Sequence, residues 1–182
     1  MVVRGSLYEV LEQDLKELPE ISRAVIEKMG VIRIVPTDQT LERREFEEND
    51  SLRSPRYTYN LLERIGPKHC VMCECGIPEL IHGAHVWPVA SIKKEGGLTF
   101  EEKLRYATDG HNGLWLCENH HKLFDENIIT ISKKGKVEHK SGILSEHKSF
   151  IHHITTNTTI PDHILTDQFL EYLWKRNKAI AV

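Results

Sequence analysis

Residues 109–125 read Asp-Gly-His-Asn-Gly-Leu-Trp-Leu-Cys-Glu-Asn-His-His-Lys-Leu-Phe-Asp. The short apolar run Gly113–Cys117 predicts a strand, and the polar–apolar spacing of ENHHKLFDEN over 118–127 predicts a short helix directly after it. Adjacent side chains on a helix diverge by about 100°, so His120 and His121 cannot comfortably serve one metal ion. Asp125 lies one turn beyond His121 on the same face, an imidazole–carboxylate pair suited to a divalent cation with open positions for water and phosphate. Such a pair on its own is as often an exposed helical pair with no ligand.

Working outward, LIHGAHVWP at 80–88 predicts a second short strand ending at Pro88, whose ring forces Trp87 into an extended conformation. Between the two strands lies a polar excursion over 91–110, with a helix expected across TFEEKLRYA. Downstream, IITI (128–131) and KVEH (136–139) predict a hairpin turning at Lys134-Gly135. YTYNLLERIG at 57–66 has helical spacing, with Tyr57, Leu61, Leu62 and Ile65 on one face and a stop at Gly66-Pro67. TDQFLEYLWKRNKAI near the C-terminus predicts an amphipathic helix started by Thr166 or Asp167, burying Phe169, Leu170, Leu173 and Trp174.

The N-terminal third has a different texture. Residues 6–18 and 19–29 read as two helices separated at Pro19, followed by a strand over VIRIV at 31–35. Residues 37–56 are highly charged and sparse in apolar groups, which marks a boundary or flexible arm. The expected organisation is therefore an extension over 1–56, serving dimerisation, regulation or specificity, and a main domain over 57–182.

All four cysteines (Cys70, Cys73, Cys75, Cys117) and six of eleven histidines fall between residues 69 and 121. Clustering of that kind points to metal rather than disulfides in a chain with no secretory signal. Cys70-Val-Met-Cys73 and Cys117-Glu-Asn-His120 are two half-sites in which one tight turn can present two zinc ligands. Cys75 offers an equally feasible bite with Cys70, but Cys70 and Cys73 are favoured, with Cys117 and His120 completing a structural zinc set. Zinc is favoured over buried free thiols, which also pack well as small hydrophobes, and a redox pair lacks the strand–helix context it needs.

Composition narrows the class without naming it. The net charge is −3, and the acidity sits in residues 1–60, which carry 9 basic and 12 acidic side chains. The lysines at 133, 134, 136, 140 and 148 can face a phosphate backbone, although solvated lysines on a hairpin are the favoured explanation. No run approaches the roughly 18 apolar residues of a membrane span, and MVVRGSLYEV lacks a signal-peptide core, so a cytoplasmic, non-membrane protein is expected.

Gly83-Ala84-His85-Val86-Trp87-Pro88, Asp109-Gly110-His111-Asn112-Gly113 and His120-His121-Lys122-Leu123-Phe124-Asp125 together resemble the HNH endonuclease family over about residues 57–140. The resemblance implies an α+β fold with a ββα-metal (His-Me finger) core, stapled by structural zinc and flanked by N- and C-terminal helices. It implies a catalytic set of His85 as general base, Asn112 as the residue holding the hairpin, and His121 as ligand of a catalytic Mg²⁺ or Mn²⁺. Members of the family often carry a further ligand directly before the base, where this chain has Ala84; Asp125 or His82 makes up that deficit, or the ion keeps more water, and Asp125 is preferred. Asp109 is expected to fix the turn before Asn112. The implied function is metal-dependent hydrolysis of double-stranded DNA, most simply by a restriction-type homodimer. A phage or mobile-element nicking enzyme and a non-catalytic zinc-stapled DNA-binding module are the alternatives.

Overall fold

The computed structural model describes residues 8–11, 32–35, 43, 46–48 and 54–180. The chain divides into two compact units, residues 1–44 and 45–182. In the first, strands β1 (Tyr8–Leu11) and β2 (Ile32–Val35) pair in parallel, with Tyr8 opposite Ile32 and Leu11 opposite Val35. The strand expected at 31–35 is present. The helix expected from residue 6 is not, at least across Tyr8–Leu11, because Tyr-Glu-Val-Leu also alternates and has a β-branched partner segment to pair with. The second predicted helix, over 19–29, lies outside the described residues.

The second unit begins within the segment read as an arm. Residues 46–48 are helical. Phe46 is buried, edge-on to Phe100 at 5.6 Å, and Lys93 Nζ donates to the Glu47 carbonyl at 3.0 Å. One aromatic anchor thus ties part of that charged stretch to the main unit.

Helix α1 (Pro55–Ile65) starts where Ser54 Oγ accepts from the Arg56 and Tyr57 amides, with Pro55 pre-set for the first turn. It buries Tyr57 and Leu61, whereas Leu62, assigned to the same stripe in the sequence, is 42% exposed. The hairpin comes next: β3 (Ile81–His85) pairs antiparallel with β4 (Gly113–Cys117), Ile81 opposite Cys117 and His85 opposite Gly113. Between them run α2 (Val89–Lys94), which the sequence reading missed, and α3 (Phe100–Thr108), opened by a Thr99–Glu102 capping box. Helix α4 (Glu118–Asp125) follows β4 without a loop. These two strands and one helix form the expected ββα unit in an α+β fold.

Helix α1 lies against the hairpin where the hairpin has no side chains. A Cβ on Gly113 would sit 2.3 Å from Tyr57 Oη and 2.6 Å from Leu61 Cδ2. At Gly110 it would sit 2.4 Å from the Asn60 carbonyl oxygen. Two glycines in the Asp109–Gly113 stretch are therefore required by the closeness of the helix.

Beyond the ββα unit, β5 (Ile129–Ile131) and β6 (Val137–His139) form the predicted hairpin, with Gly135 in the left-handed region at φ 75°. Helix α5 (Ser145–Ile154) was not anticipated. Helix α6 (Asp167–Ile180) was, and Thr166 Oγ1 accepts from the Phe169 amide at its start. Its buried stripe is Phe169, Tyr172, Leu173 and Arg176; Trp174 is 52% exposed and Leu170 half-buried, so the expected stripe was rotated by one position. Arg176, only 2% exposed, donates from Nη1 to the Val86 carbonyl at 3.2 Å and from Nη2 to the Phe124 carbonyl and to Asn127 Oδ1. It thereby ties the exit of β3 to the end of α4. Among the described residues no helix is long and apolar enough to cross a membrane.

Gly113→Ala should lower stability by about 1–3 kcal/mol through overpacking, whereas Gly96→Ala, with nothing within 4 Å of the added carbon, should stay within about 0.5 kcal/mol of wild type. Denaturant unfolding of both variants checks this, and equal midpoints would contradict the close packing of α1 on β4.

Candidate active site

Four ligand atoms converge behind the hairpin. Cys70, Cys73, Cys117 and His120 present Sγ, Sγ, Sγ and a ring nitrogen, all within 4.8 Å of one another. His120 Nδ1 lies 3.5 Å from Cys70 Sγ and 3.2 Å from Cys117 Sγ, and Cys73 Sγ lies 3.8 Å from Cys117 Sγ. A tetrahedral zinc ion with bonds of about 2.0–2.3 Å sets ligand atoms about 3.5–3.8 Å apart, so this cluster fits one. Between Cys73 and Cys75 the geometry selects Cys73. The Cys75 carbonyl instead closes the knuckle by accepting from the Cys70 amide at 2.9 Å.

The surroundings suit a bound ion. His120 Nε2 is 3.1 Å from Thr155 Oγ1, which fixes the ring so that Nδ1 faces the sulfurs. Burial pushes the Cys70 thiol up to about 12 and raises Cys73 as well. Ionising such thiols calls for a positive charge at their centre. Nothing in the spacing of the sequence pointed to Thr155, which comes from the turn after α5.

His121, the next residue, points the other way, into a cleft of about 740 Å³ that His82, His85, Glu118 and Asp125 also line. His121 Nε2 lies 3.3 Å from Asp125 Oδ2. Two ligands bound to one octahedral ion at about 2.1 Å sit about 3 Å apart, so this pair can share a cation. Burial holds the His121 imidazole below its ordinary range against the pull of Asp125. Among the described residues, only the cysteine cluster brings three or more ligand atoms into register for an ion.

His85 ends β3 at the cleft wall. Its Nε2 is 2.8 Å from the Ala107 carbonyl, which can only accept, so the proton sits on Nε2 and the Nδ1 lone pair is free. Tyr57 stacks on the ring at 4.0 Å between centroids and 10° between planes. Burial pushes His85 down to about 4, only partly opposed by the Ala107 hydrogen bond, and leaves it neutral at pH 7. Tyr57 was legible in the sequence only as a core aromatic, and its place over His85 was not.

Asn112 is wholly buried and does not itself line the cleft, although its carbonyl accepts from Tyr57 Oη at 3.3 Å. Its Oδ1 accepts from the Trp87 amide at 2.6 Å, and its Nδ2 donates to the Trp87 and Tyr106 carbonyls at 3.1 and 3.0 Å. Its own carbonyl accepts from the Val86 amide at 3.0 Å. The excursion between the strands is thus pinned beside His85. Asp109 caps the turn ahead of it, accepting from the His111 amide at 2.8 Å and from Tyr172 Oη at 2.7 Å. His111 faces Thr166 Oγ1 at 2.9 Å, away from any metal cluster.

A strand–strand–helix unit that carries a histidine on the first strand, an asparagine before the second and a histidine on the helix is the framework of a His-Asn-His nuclease. Residues 70–132 match the family model described as HNH endonuclease, so this part of the chain is similar to an HNH endonuclease domain. No curated protein matches the chain.

Two measurements follow. Cys73→Ser should lose bound zinc and melt at lower temperature, while Cys75→Ser should keep about one zinc per chain; equal losses by elemental analysis would contradict the assignment of ligands. In an NMR titration the His85 ring should protonate near pH 4. An unfolded histidine takes its proton near 6.5, so stability should fall as pH drops from about 6.5 toward 4. A His85 midpoint at 6.5 would show that burial does not govern the ring.

Proposed function

We propose that the protein is a metal-dependent DNA endonuclease that hydrolyses phosphodiester bonds in double-stranded DNA. The observation that carries this reading is the His85 ring itself: neutral, held through Nε2 by the Ala107 carbonyl so that Nδ1 is the nitrogen without a proton, at the wall of a cleft that the His121–Asp125 pair also lines.

In this reading His85 Nδ1 takes the proton of the attacking water. The Ala107 carbonyl keeps the ring in the required tautomer and stabilises the imidazolium as it forms. Tyr57 limits tilting of the ring, and Asn112 holds the Trp87 backbone so that His85 keeps its place at the end of the strand. His121 and Asp125 hold Mg²⁺ or Mn²⁺, which when bound supplies charge stabilisation at the scissile phosphate and the departing 3′ oxygen. Lys68 at the cleft wall offers positive charge to the phosphate backbone, whereas Lys122 beside it is paired with Glu126 at 2.6 Å. Cys70, Cys73, Cys117 and His120 hold a structural zinc that is remote from the chemistry.

One such centre cuts one strand. Cleavage of both strands is therefore proposed to involve a homodimer of restriction type, with residues 1–56 serving dimerisation, regulation or specificity.

Incubated with supercoiled plasmid and Mg²⁺ or Mn²⁺, the wild type should give nicked or linear DNA, and His85→Ala should slow cleavage by about 10²–10⁴. No cleavage by wild type, or cleavage unchanged in His85→Ala, would contradict the catalytic reading and leave a zinc-stapled DNA-binding module.

A further inference from the structure

His121 and Asp125 give a cleft cation only two protein ligands, and the neighbouring strand has little to add. Gly83 and Ala84 carry no ligand atom, and Ala84 is fully buried opposite Leu114. His82 differs from both. It lines the same cleft as His121 and Asp125, and its ring lies 6.0 Å from the His121 ring, centroid to centroid, at 28° between planes. We propose that His82 is a third protein ligand of the cleft cation, and that the resulting set of two imidazoles and one carboxylate makes this centre select Mn²⁺ over Mg²⁺. The inference rests on the reading of the cleft as a nuclease centre and names the composition of its metal shell.

Three observations support it. First, the His82 ring is uncommitted: it is 46% exposed, and its approach to Glu118 Oε1 is 3.6 Å, too long for a firm hydrogen bond. The three ligand atoms are not yet in register, so the exposed His82 ring has to turn toward His121 to join the pair. Second, Glu118 opens the same helix that carries His121 and Asp125, so His82 already faces the ligand-bearing side of α4. Third, an imidazole at a half-open cleft wall beside a second imidazole and a carboxylate is a donor set with a definite preference. Mg²⁺ favours oxygen ligands in a near-ideal octahedron and parts with its waters reluctantly. Two ring nitrogens suit Mn²⁺ and the later first-row ions better.

The test uses the zinc-loaded full chain, so that the cysteine cluster does not take up the added ion. Mn²⁺ is titrated by EPR, and the bound ion is read by pulsed EPR for coupling to imidazole nitrogens. Wild type should show two coordinated nitrogens, bind Mn²⁺ at least about tenfold more tightly than Mg²⁺, and give one nitrogen in His82→Ala with affinity reduced about tenfold or more. His82 is an exposed strand residue, so zinc content and circular dichroism of His82→Ala should match wild type. One nitrogen in wild type, no Mn²⁺ preference, or unchanged Mn²⁺ affinity in His82→Ala would each overturn the proposal. If His82→Ala fails to fold, His82→Gln is read in its place, because a second nitrogen in wild type is assigned to His82 rather than His85 only by its loss when His82 is replaced. Plasmid cleavage is read separately: a centre that cuts DNA with His121 as its sole nitrogen ligand sinks the His82 proposal and leaves the nuclease reading standing. A centre that binds Mn²⁺ through two nitrogens and cuts nothing does the reverse.

Discussion

The roll of one short helix sets everything else in this site. Glu118–Asp125 follows the second hairpin strand directly, and His120 is drawn inward to the three sulfurs with Thr155 behind it. Because neighbours on a helix diverge by about 100°, anchoring His120 leaves His121 pointing into the cleft, where Asp125 meets it one turn later. In the proposed function, a structural cluster thereby aims the residues that do the chemistry. A helix of eight residues is too short to hold its own orientation, which is why so compact a unit needs this anchor.

The opposite wall is held by different means. His85 sits at the end of a strand, where a side chain would normally be free to wander. Four constraints stop it: the Ala107 carbonyl on Nε2, the Tyr57 ring on its face, the Asn112 amide on the next loop residues, and Arg176 on the Val86 carbonyl. Two of these are buried polar groups: Asn112 is satisfied by backbone partners, while Arg176 meets three acceptors and keeps Nε without one. Asn112 satisfies both ends of its side chain, so its replacement would strand the Trp87 amide and carbonyl as well as free the loop. Helix Pro55–Ile65 can deliver Tyr57 only because Gly113 leaves room for it.

Much of this was legible in the sequence because the elements are short and sharply bounded. The apolar run 113–117 and the i, i+4 spacing of His121 and Asp125 are local signals, and the structure carries them as read, whereas the strand expected to run on to Pro88 stops at His85. What escaped was set by tertiary partners. Tyr8–Leu11 took a strand because Ile32–Val35 pairs with it, against a helical pattern of similar strength. The C-terminal helix was misphased because its buried stripe contains Arg176, a residue that composition assigns to the surface and that three acceptors make tolerable inside. The choice between Cys73 and Cys75 depended on which sulfur the knuckle turns inward, and spacing alone does not encode that. The nearness of His82 to His121 spans a strand and a helix far apart in the chain, so no local motif announces it.

The division of labour between two adjacent histidines is the claim on which the functional reading turns. It is tested most directly by measuring bound zinc in His121→Ala on the same preparation that is assayed on plasmid DNA. The expected result is a zinc content equal to wild type together with lost cleavage. Loss of zinc from that variant, or full cleavage with zinc retained, would show that His120 and His121 do not serve separate sites.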